Sequence, residues 1–309
     1  AKEIGTDSKA LKRLTPQQVI GKALDEGCIG IVFLMNDPLA SFHTFLAVAR
    51  TAKAQGLLVG CSSNGYFTQD SADALSPYLD FINVGIKGLS DADYKCCGAP
   101  GYAPVLRNIR DFHEAGIHVE AACMHKKGED DVVMAIAATI ADIADDIPLQ
   151  IMRFIPVDDA DIGSEPSVRE SEQIQRMASK RLKYVYLFNA PGTDCINTYC
   201  PECGQLIVER DFYGPMGSKL RRSLLSADER HCPQCGYALE IKGAIATGRY
   251  DENDFEGGYP FTRALEIIEG TLAAIGVKDQ GSIARCWEHS LQENGLQKLH
   301  GSIQGFERY

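Results

Sequence analysis

Apolar residues in this chain gather in short runs rich in Val, Ile and Leu, separated by stretches with helical spacing. The runs fall at 28–34, 57–61, 81–86, 117–122, 149–155 and 184–188. They alternate little between apolar and polar, so each strand is expected to be covered on both faces, as in a parallel sheet. Helices are predicted ahead of the first strand and at 41–55, 104–115, 129–145 and 167–182. The first is the clearest. Thr15 with Gln18 makes a capping box, Pro16 takes the first helical position, and Gly27 stops the helix before the strand. Gly56 and Gly116 close the second and third. Six such units build either an open doubly wound sheet or most of a (β/α) barrel, and in both the chemistry collects at the C-terminal ends of the strands.

Those ends carry a polar set. Asn36 and Asp37 follow the first strand; Ser62, Ser63 and Asn64 follow the second; Lys87 follows the third. His125, Lys126 and Lys127 lie beyond the fourth, Arg153 near the end of the fifth, and Asn189 after the last. Each alone reads as a cap or turn residue, Asn36-Asp37-Pro38 above all. Together they offer donors, one carboxylate and several cations, a rim suited to a small zwitterion or anion. His43, His113 and His118 sit within helix or strand patterns and read as structural.

The most specific motif comes later. Residues 198–206 read TYCPECGQL and 231–239 read HCPQCGYAL, which pairs Cys200 with Cys203 and Cys232 with Cys235. Each Cys-Pro-x-Cys-Gly knuckle turns both sulfurs toward one point, and its Gly permits the positive φ this demands. Two knuckles close an all-sulfur tetrahedral site, for zinc first and a single iron second, with two disulfides as the alternative. Cys195 precedes them to give Cys-x4-Cys-x2-Cys, a ferredoxin-cluster spacing. Four structural thiolates leave no open coordination position, so this site is expected to do no chemistry. Cys28, Cys61, Cys96, Cys97, Cys123 and Cys286 show no metal spacing, and those on strands read as buried apolar residues.

Composition narrows the field. The 309 residues carry 31 Lys and Arg against 42 Asp and Glu, a net charge of −11 with no sustained basic block, which excludes a nucleic-acid surface. The longest apolar runs fall short of the roughly 20 residues needed to cross a bilayer, so no membrane partner is expected. Eleven cysteines, partly as Cys-x-x-Cys and without a visible signal peptide, point to a reducing compartment, the cytoplasm. The chain starts at Ala1, without an initiator Met. Its organisation reads as an α/β core over 1–190, a four-cysteine module over 191–242 and a helical extension over 243–309. That extension is predicted to hold helices at 260–275 and 282–299, the latter with Trp287. The acidic run Asp251, Glu252, Asp254 and Glu256 reads as a solvated loop.

The segments GCIGIVFLMNDPLASF, SSNGYFT, LDFINVGIKGLSDADYKCCGA, MRFIPV and NTYCPECGQLIVER with HCPQCG, in this order, resemble the radical S-adenosylmethionine (SAM) family. The likeness is to the branch of pyruvate formate-lyase activating enzymes and AmmeMemoRadiSam proteins, and it covers about residues 10 to 240. It implies a partial (β/α) barrel of the radical SAM type. In that family a Glu-Pro at a strand end holds the amino group of S-adenosylmethionine; Asn36, Asp37 and Pro38 stand at that place. By the same correspondence Asn64 and Lys87, with Gln150 or Arg153, would line the cofactor pocket. Gly85 stands where the family has the Asp of Asp-x-Lys. Nor does Cys-x3-Cys-x2-Cys, the triplet that holds the family's [4Fe–4S] cluster, occur in these residues. The resemblance implies that this triplet and a first barrel strand lie upstream of Ala1. The implied activity is hydrogen abstraction by a 5′-deoxyadenosyl radical, from a glycine of a partner protein or from a carbon to be modified, as in methylation. A cluster-less protein that binds S-adenosylmethionine, or a scaffold, is the alternative.

Overall fold

The computed structural model describes residues 14–34, 37–156, 160–190, 192–212, 217–226, 229–243 and 245. Asn36 and almost all of the expected helical extension, including Trp287, lie outside them. The chain divides into two units, Ala1–Ala122 and Cys123–Tyr309.

In the first unit, helix α1 (Pro16–Asp25) opens on the expected capping box. The Gln18 amide donates to Thr15 Oγ1 at 3.2 Å, and the Thr15 amide donates to Gln18 Oε1 at 2.9 Å. Then follow β1 (Gly30–Phe33), α2 (Phe42–Ala54), β2 (Leu58–Ser63), the short α3 (Gln69–Leu75), β3 (Phe81–Gly85), the short α4 (Asp91–Cys96), α5 (Ala103–Glu114) and β4 (His118–His125), whose last three residues belong to the second unit. The strands are parallel. Gly30–Phe33 pairs with Leu58–Cys61, Gly60–Ser63 with Phe81–Val84, and Phe81–Gly85 with His118–Ala122. Apolar stripes of α2 (Phe45, Val48, Ala49, Ala52) and α5 (Val105, Ile109, Phe112) are buried, as are Val59, Ile82 and Val84 on the strands. Burial of each larger side chain contributes roughly 1.5–3 kcal/mol. Phe67 meets Phe112 edge-on, with centroids 5.4 Å apart, and so fastens the stretch after β2 to α5.

The second unit continues through α6 (Asp130–Ile143), β5 (Leu149–Arg153), α7 (Val168–Ala178) and β6 (Val185–Phe188). Its core includes Ile136, Ile140, Leu149, Ile151, Ile174 and Leu187. A three-stranded antiparallel sheet follows, β7 (Thr198–Tyr199), β8 (Leu206–Phe212) and β9 (Ser218–Ser223). The six parallel strands are ordered β1-β2-β3-β4-β5-β6. The order never reverses, whereas the doubly wound alternative requires a reversal; it is that of consecutive strands in a (β/α) barrel.

Two details differ from the sequence reading. The first strand begins at Gly30, because Gly27 adopts φ 67° and the Cys28 amide closes onto Ala23 O at 2.8 Å, so Cys28 belongs to the end of α1 and is exposed. The helices α3 and α4 were not expected; each is six or seven residues long, too short for a periodic stripe.

Candidate functional site

Asp37 sits in the turn between β1 and the 3₁₀ turn Pro38–Ser41, and its carboxylate ties several backbones together. Oδ1 accepts the Leu39 amide at 3.0 Å, which caps that turn. The Ser63 hydroxyl, at the end of β2, lies 3.1 Å from both carboxylate oxygens, and the Asn64 amide donates to Oδ2 at 2.6 Å. The carboxylate therefore fastens the C-terminal ends of β1 and β2 to each other. Three donors meet it, and a carboxylate offers about four lone-pair positions, so it keeps capacity for one more donor. Asp37 is half-buried and Asn64 exposed. Asn64 Oδ1 accepts the Tyr66 amide at 2.8 Å, which leaves its amide group as a donor.

Lys87 is exposed just beyond β3, and its amide donates to the buried Tyr94 hydroxyl at 3.4 Å. Its side chain folds back over the strand: a Cβ added to Gly85 would lie 3.2 Å from Lys87 Nζ. The glycine leaves room for the ammonium where a side chain would compete for the space. Burial pushes the nearby Cys61 thiol up to about 12, with the Asp37 charge adding to it.

The remaining candidates lie in the second unit. Arg153, at the end of β5, is buried, with Nη1 2.5 Å from Glu165 Oε1 and 2.9 Å from Pro166 O. Its Nε donates to Asn189 O at 2.7 Å, while Asn189 Nδ2 returns a bond to Arg153 O at 3.0 Å. Asn189 adopts φ 58°, the left-handed region that Asn tolerates better than most residues. Gln150 is the second residue of β5, about 10 Å of strand before Arg153. His125 ends β4 fully buried, 2.9 Å from both Ser171 Oγ and Asp130 Oδ1. This Ser-His-Asp alignment has the look of a nucleophilic triad, but Ser171 is fully buried as well, so no substrate reaches it. It fastens the end of β4 to α6 and α7.

Cys200, Cys203, Cys232 and Cys235 bring their sulfurs within 4.8 Å of one another. The knuckles match bond for bond. The Gly204 amide donates to Cys200 O at 2.9 Å and the Gly236 amide to Cys232 O at 2.8 Å, with φ 73° and 76° at the two glycines. The Cys200 amide reaches Gln205 O and the Cys232 amide reaches Tyr237 O, both at 2.8 Å. Across the knuckles Cys200 faces Cys235 and Cys203 faces Cys232, each at 3.6 Å. A tetrahedral ion bonded at about 2.3 Å spaces its sulfurs about 3.8 Å apart, whereas a disulfide holds them at about 2.05 Å. The set thus fits one ion and not two disulfides, and Cys195 stands outside it. Burial acts upward on Cys232, but the amides of Cys235 and Gln234 and the neighbouring thiols outweigh it and take it down to about 7. Cys200, Ile207, Leu225, Cys232 and Leu239 form a small apolar core around the knuckles.

Residues 5–138 match the family model described as "Radical SAM superfamily". Over this segment, less than half of the chain, the sequence is similar to that family. The matched segment holds Asp37, Asn64 and Lys87, and the match ends within α6. Over 241 residues the chain is 28% identical to the uncharacterized protein MJ0808 of Methanocaldococcus jannaschii, covering 76% of this chain and 70% of that protein. Among solved structures it is similar to a domain of pyruvate-formate lyase-activating enzyme from Bacteroides vulgatus, with TM-score 0.44 and 15% identity over 51% of this chain and 98% of that one. It is also similar to SuiB of Streptococcus suis bound to S-adenosylmethionine, with TM-score 0.46 and 9% identity over 57% of this chain and 44% of that one.

Among the described residues no helix is long and apolar enough to cross a membrane. Ser63 belonged to the polar rim read from the sequence, but its bond to Asp37 did not. Asn108 and Glu165 were missed altogether, because Asn inside a helix pattern and Glu in a loop carry no motif.

Proposed function

We propose that this chain binds S-adenosylmethionine as part of a radical SAM enzyme of the branch similar to pyruvate formate-lyase activating enzymes and AmmeMemoRadiSam proteins. The observation that carries this reading is the Asp37 carboxylate, held at the ends of β1 and β2, within the segment similar to the radical SAM family, with capacity for one further donor. The donor set suits the amino-acid end of the cofactor. Asp37 receives the ammonium, while the Asn64 amide and the Lys87 ammonium serve the carboxylate. S-Adenosylmethionine supplies, on reductive cleavage, a radical able to take hydrogen from carbon.

The 309 residues contain no Cys-x3-Cys-x2-Cys, and the four-cysteine set is closed around a point that fits one ion, so they do not fit a [4Fe–4S] cluster. Its ligands are proposed to come from outside these residues. The work of these residues is to bind and orient the cofactor and, through the four cysteines, to hold a structural zinc or iron. Gln150 or Arg153, on β5, is proposed as a further cofactor contact. The substrate class we propose is a glycine of a partner protein or a carbon destined for methylation.

Thermal unfolding tests the binding step. S-Adenosylmethionine at a hundred times its dissociation constant should stabilise the chain by about 2.7 kcal/mol and raise its Tm. The Asp37→Asn variant should lose most of that rise. An unchanged Tm for the parent chain at millimolar cofactor would leave the scaffold reading in its place.

A further inference from the structure

Behind Asp37 runs a chain of hydrogen bonds that ends on a helix away from the rim. The Ser63 hydroxyl has one proton, shared between Asp37 Oδ1 and Oδ2 at 3.1 Å each, and its oxygen accepts the Gly65 amide at 3.1 Å. Gly65 adopts φ 72°, and a Cβ there would meet Val84 Cγ1 at 2.6 Å, so only glycine lets the loop pass this close to β3. The Gly65 carbonyl and the Phe67 carbonyl each accept from Asn108 Nδ2 at 2.8 Å. Asn108 lies on α5 and is completely buried; its Oδ1 accepts from Arg107 Nη2 at 3.1 Å, and the same Nη2 donates to Phe67 O at 2.9 Å. Both donors and the acceptor of the Asn108 side chain are thus engaged, and two of its three bonds go to the loop between β2 and α3. A buried amide is costly unless satisfied, and an apolar residue would continue the α5 stripe at less cost. The bonds to the loop account for the asparagine.

We propose that Ser63 and Asn108 are positioning residues for Asp37: together they fix the loop, and through it the direction in which the carboxylate meets the ammonium of S-adenosylmethionine. The proposal rests on the reading of Asp37 given above. Without the clamp the Gly65 carbonyl loses its Asn108 partner and the Phe67 carbonyl keeps only Arg107; the Ser63 hydroxyl loses its constraint, and the carboxylate regains rotamer freedom that the ligand must then remove on binding.

Calorimetric titration of S-adenosylmethionine into the protein, combined in a double-mutant cycle, tests this. Ser63→Ala is expected to raise Kd about tenfold. Asn108→Ala should raise it at least as much, and Ser63→Thr, which keeps the hydroxyl, by less than threefold. In the Asp37→Asn background Ser63→Ala should change Kd by less than twofold, because its effect passes through the carboxylate. A role in folding alone would lower Tm and leave the two substitutions additive in Kd, which overturns the proposal while the reading of Asp37 stands. If Asp37→Asn itself leaves Kd unchanged, or the parent protein does not bind, the reading falls and takes the proposal with it. Should Asn108→Ala fail to fold, the Ser63 variants decide the matter.

Discussion

A single thiol can be buried filler or a reactive group, and its surroundings decide. Burial pushes Cys123 up to about 12, and burial reinforced by Asp37 does the same to Cys61. The thiolate is the nucleophile, so neither should alkylate in the folded protein at neutral pH, whereas the exposed Cys28, Cys96 and Cys97 should. Iodoacetamide labelling followed by peptide mass mapping checks this: Cys61 and Cys123 are expected to gain the label only after denaturation. The sequence showed Cys61 as a strand residue, placed Cys123 just past the end of a strand that in fact runs to His125, and misplaced Cys28, because a residue that completes a helix cap reads the same as one that begins a strand. Glycine roles were equally hidden. A Cβ on Gly60 would lie 2.0 Å from the Phe81 ring, a contact between strands that composition does not announce. Gly60→Ala should therefore destabilise the protein by about 1–3 kcal/mol in urea titrations, and an unchanged midpoint would show that the ring has room to move.

At the scale of elements, what was legible is what local chemistry decides. The six apolar runs became β1 to β6, and the Thr15 and Gln18 box became the start of α1, because caps and buried strands act over a few residues. The hairpin of β8 and β9 and the short helices were less visible, since tertiary packing more than periodicity holds them. Helix α7 also opens on a capping box, Ser167 with Glu170. Burial acts upward on the Glu170 carboxyl, but the Ser167 amide and hydroxyl it accepts from, with Lys127 nearby, outweigh it and hold the group below its ordinary value. A carboxyl lowered in the folded state adds stability above its unfolded value and loses it as pH falls through the folded one. Ser167→Ala should cost about 1 kcal/mol at neutral pH. Comparing its loss with that of Glu170→Gln from neutral pH down through the carboxylate range checks the sign: the difference between parent and either variant should shrink toward acid. Growth of that difference would contradict the box.

Over the whole molecule, two sets of residues do different work. The polar rim was read as strand ends, which the order of the chain reveals, but the bonds that turn Asp37 into a fixed group join residues 26 to 27 positions apart and emerge only from the fold. The four cysteines announced themselves through spacing. One ion per chain is expected by elemental analysis; zinc would leave the protein colourless, iron would absorb in the visible. Cys203→Ser should abolish that ion and open residues 198–241 to protease, while the Tm shift by S-adenosylmethionine survives. The measurement that bears most directly on the central claim is 5′-deoxyadenosine formation by the product of the whole reading frame, loaded anaerobically with iron and sulfide and supplied with a strong reductant. The nucleoside should accumulate with the parent protein and fall at least tenfold with Asp37→Asn. None from an iron-loaded parent would contradict the account.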